Sequence, residues 1–155
     1  MWIPPEVRDP VLLHHPTRKS VCYFGAVRLR DGKFFAEQEP EQFDAQTTCR
    51  FYRHLRQVSG HSGRRVAVIT DNAKYHHALM HKAWRETQEP QFQLLFLPPY
   101  SPDLNPIERV WKLVRRLCLH NRYFPELTLV TDAVERQFAQ WRSGSKTLFK
   151  LCSVS

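Results

Sequence analysis

Asp71 and Glu108 are the two side chains of this sequence best suited to chemistry, and the chemistry they suit is ligation of a hard divalent cation. Asp71 closes the apolar run Val66-Ala67-Val68-Ile69-Thr70, and Glu108, 37 positions later, ends the stretch Leu97-Pro98-Pro99-Tyr100-Ser101-Pro102-Asp103-Leu104-Asn105-Pro106-Ile107-Glu108. The prolines stiffen a loop that delivers Glu108 into the first turn of a helix. An Asp at the C-terminal end of a strand stands where α/β sheets bind ligands. Two carboxylates brought together repel unless a cation neutralises them. Oxygen-only ligation suits Mg²⁺ or Mn²⁺ rather than zinc. Two-metal phosphoryl chemistry normally takes a third carboxylate, and the sequence offers no obvious one.

Each of these residues also has a plain structural reading. Asp71-Asn72 can turn the chain and cap the following helix. Glu108 stands three residues after Asn105, where a glutamate reaches back to the cap and complements the helix dipole. Only the pair points to a site: adjacent strands of a βαβ unit bring the ends of runs 66–70 and 92–97 together. His77 and His81, one turn apart, could join Asp71 at a zinc ion, but no cysteine or fourth ligand lies at suitable spacing. A structural or DNA-facing role suits His76 better. Arg109, Lys112, Arg115, Arg116 and Arg122 lie on or just after the Glu108 helix, mostly off its apolar stripe. They form either a solvated face or a set of cations for nucleic-acid phosphates.

The elements that must position these residues follow from periodicity and turn chemistry. Residues 1–20 read as an irregular, Pro- and His-rich leading segment. Residues 21–29 and 33–37 are β-type runs around Asp31-Gly32, a strong hairpin signal. A helix is expected over 44–59, with Asp44 as N-cap, Phe51, Leu55 and Val58 on one face, and Gly60 and Gly63 closing it. Residues 65–70, continuously apolar after Arg65, read as a strand buried on both faces. A helix over about 76–88 should turn Leu79, Met80, Ala83 and Trp84 inward, and residues 92–97 form the next strand. From Asn105 to about residue 120 the pattern is a helix with Pro106 at its first position and Ile107, Val110, Trp111, Val114 and Leu117 as its stripe. A last helix covers 130–142, and 143–155 reads as a loose tail. Strands alternating with helices imply an α/β layer fold with a partly parallel sheet.

Size and composition bound the function. With 155 residues the chain makes one domain, burying roughly two-thirds of its unfolded surface. A 42% hydrophobic share argues against disorder. No apolar run approaches the ~18 residues of a membrane span, and the N-terminus lacks the pattern of a signal peptide. Cys22, Cys49, Cys118 and Cys152 are scattered without metal-ligand spacing and read as reduced thiols of a cytoplasmic protein. A net charge of +8 and a pI near 9.6 point to a polyanionic partner, nucleic acid first.

Asp71-Asn72-Ala73-Lys74-Tyr75-His76 resembles the D-N-A-x-x-H motif of mariner-like bacterial insertion-sequence transposases. Leu97 to Trp111 resembles their L-P-P-Y-S-P-x-L-N-P-I-E-x-x-W signature at every fixed position. The resemblance runs from about Trp2 to Leu127. It implies a ribonuclease-H-like mixed sheet flanked by helices and a D-D-E (or D-D-D) triad holding two Mg²⁺ (or Mn²⁺) ions. Asp71 matches the second acidic residue and Glu108 the third, with Asn72 and His76 in supporting positions. The implied chemistry is hydrolysis and strand transfer on double-stranded DNA, in a bacterial cytoplasm at the nucleoid. Arg109, Lys112, Arg115 and Arg116 then become DNA-binding candidates.

The departure from the family is its first Asp, carried on a first, central strand that precedes a segment resembling Trp2-Ile3-Pro4-Pro5. Asp9, Asp31 and Asp44 are poor substitutes: one precedes a proline, one is used by a turn, one is a cap. The expectation is a partial catalytic domain over 1–128, lacking its central strand, followed by a C-terminal helix and tail over 129–155. It would be a truncated frame, a remnant or one product of a split gene, completed by a homodimer mate or an upstream gene product. The competing readings are a catalytically inactive module that binds DNA or a partner, and an unrelated metal-dependent nuclease or phosphatase using Asp31 or Asp44.

Overall fold

The computed structural model describes residues 21–39, 43–60 and 63–153, the Tyr75 side chain excepted. The expected irregular leading segment and Asp9 lie outside the described residues. The chain divides into two compact units, one made of residues 1–41 with 106–155 and the other of residues 42–105.

The first unit is a hairpin with helices. β1 (Cys22–Val27) and β2 (Phe34–Glu39) are antiparallel, with Val27 opposite Phe34 and Cys22 opposite Glu39. The turn between them is closed by Arg28 N–H donating to Lys33 O at 2.8 Å and Gly32 N–H to Arg28 O at 2.8 Å. Of the Asp-Gly pair only Gly32 takes a positive φ, of 70°. Asp31 instead uses its carboxylate, which accepts from Arg28 Nε at 2.9 Å and from Lys33 N–H at 3.0 Å.

Three helices follow: α3 (Pro106–Val114), α4 (Leu127–Trp141) and α5 (Lys146–Cys152), numbered after the two helices of the other unit. Phe34 centres the core of this unit, its ring 5.7 Å from Trp111, 5.0 Å from Phe138 and 5.8 Å from Trp141. Gly25 admits the indole of Trp111: a Cβ there would lie 2.4 Å from the ring.

Two expectations are corrected in this unit. Leu117 is exposed, and Cys118 is buried in its place. The cause is a π-helical turn over Arg115–Leu119, whose extra residue per turn shifts the inward phase of α3 by one position. The tail is not loose either. Ser145 caps α5 by accepting from Leu148 N–H at 3.2 Å, and Leu148 and Cys152, one turn apart, are fully buried.

The second unit begins with α1 (Ala45–Ser59). Asp44 and Thr47 cap it reciprocally: Thr47 N–H donates to Asp44 Oδ1 at 2.8 Å, and Asp44 N–H to Thr47 Oγ1 at 3.0 Å. β3 (Val66–Thr70) pairs in parallel with β4 (Phe92–Phe96), Val66 opposite Phe92 and Thr70 opposite Phe96, with α2 (Leu79–Gln88) between them in sequence. This parallel β–α–β unit is the arrangement that alternating runs imply.

Here too the sequence reading needs correction. β3 is not buried on both faces: Thr70 is buried, but Ala67 and Ile69 are exposed, as is Leu95 on β4. α2 turns His81 fully inward while Leu79, Met80 and Ala83 face solvent. Residues 74–76 form a separate 3₁₀ turn, so α2 starts only at Leu79 and its inward phase is set by His81 and Trp84. Trp84 packs on Phe92 with ring centres 5.5 Å apart.

Among the described residues, the hairpin and the β3–β4 pair form two separate two-stranded sheets.

Candidate active site

The parallel ladder continues to the end of both strands, where Leu97 N–H donates to Thr70 O at 2.9 Å. Asp71 follows at once. Its Oδ1 accepts from Ala73 N–H at 2.9 Å, an Asx turn that fixes the carboxylate over the strand end. Its side chain remains 54% exposed, so the second oxygen is open to a ligand.

The neighbours of Asp71 hold this geometry. The Asn72 side-chain amide donates to the Leu97 carbonyl, tying the two strand exits together. Asn72 Oδ1 lies 3.2 Å from His77 Nε2, and the His77 ring stacks on Phe96 with centres 3.9 Å apart. His76 turns its Nε2 toward Asp71 Oδ1, at 3.5 Å, and its Nδ1 meets the hydroxyl of Tyr52 on α1. Burial pushes the His76 pKa down to about 4, against the pull of the Asp71 charge, and His81 and His77 lower it further. The ring is therefore neutral at physiological pH and sets no full positive charge beside Asp71. That leaves the carboxylate its own charge for a cation.

Glu108 stands in the first turn of α3, half-buried, in the other unit. Arg109, next to it, donates from Nη1 to Leu151 O at 3.1 Å, near the C-terminal end of α5. Lys112 and Arg116 are exposed and Arg115 is half-buried. The structure thus gathers Asp71, Asn72 and His76 at one strand end, and places Glu108 with the four basic candidates on and just after α3.

The alternatives raised by the sequence find no support in the geometry. Asp31 is bound to Arg28, which holds its carboxyl below the usual range, and Asp44 is spent in its capping box. His81 is fully buried and accepts from Arg85 Nε at 3.0 Å, a structural role rather than a zinc ligand. Among the described residues no group of three or more His, Cys, Asp or Glu side chains could hold a metal ion.

A hard divalent cation fits what is present at Asp71, an exposed carboxylate oxygen at the end of a strand; the exposed His77 imidazole nearby has its Nε2 turned to Asn72 Oδ1. Tyr52 is the residue the sequence reading missed. It lies beside the expected stripe of Phe51 and Leu55 and reads as one more core aromatic. No local signal marks it, because the partner of its hydroxyl lies 24 positions away in sequence.

Comparison with known proteins bears on both units. The chain is 32% identical over 133 residues to the protein y4pE/y4sA of Sinorhizobium fredii, a match covering 84% of this chain and 90% of that protein. It is similar in structure to a chain of the Mos1 strand transfer complex, with a TM-score of 0.58 and 19% identity over 86% of its length. That likeness supports the ribonuclease-H-like α/β class; the present chain spans 38% of the Mos1 chain. No helix among the described residues is long and apolar enough to cross a membrane. A family model described as DDE superfamily endonuclease matches residues 1–130. With Asp71 and Glu108 inside the matched region, the chain belongs to the DDE superfamily endonucleases, a family in general dependent on divalent metals.

Proposed function

We propose that residues 1–128 belong to the catalytic domain of a transposase that cleaves DNA strands and transfers the ends. The observation that carries this reading is the exposed Asp71 carboxylate, fixed at the end of β3 by its Asx turn and flanked by Asn72 and His76. Asp71 and Glu108 are the ligands for Mg²⁺ or Mn²⁺. When bound, a pair of such ions activates a water or a 3′-OH and stabilises the leaving oxygen. Asn72 keeps the β3 and β4 exits in register, so that the carboxylate does not drift. Lys112 and Arg116, exposed on and just after α3, neutralise phosphates of double-stranded DNA, with Arg115 beside them. Arg109 has its guanidinium engaged by the Leu151 carbonyl and serves mainly to hold α5. The third carboxylate comes from a segment outside the described residues, from a second copy or from an upstream gene product. The work takes place at the bacterial nucleoid.

A second reading is a catalytically inactive module that binds DNA or pairs with a complete enzyme. It is favoured by the lack of a three-carboxylate cluster among the described residues. One comparison separates the two. The chain and an N-terminally extended version are titrated with Mn²⁺ calorimetrically and assayed for nicking of element-end DNA. The catalytic reading expects Mn²⁺ binding and nicking by the extended version, both lost with Asp71→Asn or Glu108→Gln. Salt-dependent DNA binding that ignores Asp71→Ala and Glu108→Ala, with no nicking by either version, establishes the inactive module instead.

A further inference from the structure

We propose that Tyr52 is a positioning residue for the metal-binding carboxylate, acting on Asp71 through His76. The claim rests on the reading of Asp71 as a cation ligand and extends it to a residue on a different element. Three side chains lie in line: the Tyr52 hydroxyl against His76 Nδ1, and His76 Nε2 against Asp71 Oδ1 at 3.5 Å. A carboxylate only accepts hydrogen bonds, so facing Asp71 Oδ1 favours the tautomer of a neutral imidazole that carries its N–H on Nε2. A singly protonated ring then has a bare Nδ1, and the phenolic O–H is the donor that satisfies it. The hydroxyl thereby fixes both the tautomer and the plane of the ring. Without it the ring can rotate or carry its proton on the other nitrogen, and Asp71 Oδ1 loses the donor it faces.

The remainder of Tyr52 does ordinary packing. Its ring lies 5.5 Å from His81 and 5.8 Å from Phe92, contacts a phenylalanine would make as well. The hydroxyl is what distinguishes the two residues at this place. Because Tyr52 is almost wholly buried and α1 is capped at its start and closed by Gly60, the donor is held on a rigid element. With Oδ1 occupied by Ala73 N–H and faced by His76, the carboxylate directs Oδ2 outward for the cation. Partners one shell beyond a metal ligand typically change affinity by about 10- to 100-fold.

The test combines histidine nitrogen NMR with Mn²⁺ calorimetry on the full chain, comparing the parent with Tyr52→Phe and Asp71→Asn. The expected result is a His76 ring protonated on Nε2 in the parent. In Tyr52→Phe the Nδ1 resonance shifts, the Nε2–H signal broadens and Mn²⁺ affinity falls roughly tenfold; in Asp71→Asn Mn²⁺ binding is lost. Parent-like His76 resonances and Mn²⁺ affinity in Tyr52→Phe, with binding still lost in Asp71→Asn, would overturn the positioning role alone. Undiminished Mn²⁺ binding by Asp71→Asn would overturn the metal reading beneath it. A parent His76 protonated on Nδ1 alone also overturns the proposal, whatever the stability of the variants.

Discussion

The side-chain amide of Asn72 is hydrogen bonded to the main-chain carbonyl of Leu97, joining the residue after Asp71 to the residue that leaves β4. The bond is a clamp across the open end of a two-stranded parallel ladder, and it lies on the surface. Asn72→Ala is expected to cost about 0.5–1.5 kcal/mol by urea denaturation. Amide exchange at Ala73 and Leu97 should quicken more than exchange in the centre of β3.

Gly32 and Gly63 share a φ of +70° but not a setting. A Cβ on Gly32 would lie 2.0 Å from the Ser145 carbonyl oxygen, a main-chain atom, whereas one on Gly63 meets nothing within 4 Å. Gly63→Ala is therefore expected to cost only the left-handed strain of about 1 kcal/mol. Gly32→Ala should exceed it by at least about 1 kcal/mol, because the turn must also leave Ser145. Paired thermal melts of the two variants decide the ordering.

Asp31 gives the acid limb of stability its sign. The hydrogen bond from Arg28 holds its carboxyl below 3.8, so the unfolded chain takes up that proton first as pH falls. The stabilisation is complete above the ordinary carboxylate range and lost as pH drops through the lower folded value. Asp31→Asn should destabilise by on the order of 1 kcal/mol at pH 7, modest because the pair is partly exposed. The gap should close as stability is followed down toward pH 3.

Leu148 tests whether α5 is structural. Replacing this fully buried side chain by alanine is expected to cost about 2–5 kcal/mol, as for other core leucines. A cost near zero in chemical denaturation would mean that the C-terminal helix adds nothing to the core.

The basic residues on and after α3 should separate into two kinds. Lys112→Ala and Arg116→Ala are each expected to weaken DNA binding across sequences and to lower the salt slope by about one. Arg109→Ala should leave the slope nearly unchanged and reduce stability, since its guanidinium serves Leu151. Binding isotherms at several salt concentrations discriminate the two behaviours.

What was legible in the sequence was whatever depends on local chemistry. Asp44 and Gly60 bound α1, Pro106 opens α3, and the hairpin closes at Asp31-Gly32, because caps and turns are decided by a few neighbouring residues. Asp71 falls at the end of β3 for the same reason. Phase and tertiary context were not legible. Leu117 and Cys118 exchange roles through a π turn with no mark in composition. Leu79 and Met80 gave way to His81, because the preceding 3₁₀ turn delays the start of α2. The run 66–70 looked doubly covered from its hydrophobicity alone, yet covering one face requires only Val66, Val68 and Thr70. The Tyr52–His76 contact joins residues 24 positions apart and becomes visible only when α1 lies against the β3 exit.

Trp111 set into the gap left by Gly25 works as a key in a lock. The notch exists at a single place along β1, so the hairpin cannot slide lengthwise over α3 without first ejecting an indole. A bulkier residue at position 25 would press the ribbon off its helix at Trp111, and a red shift of emission on wetting would report that event in a variant that keeps Trp111 as its single tryptophan.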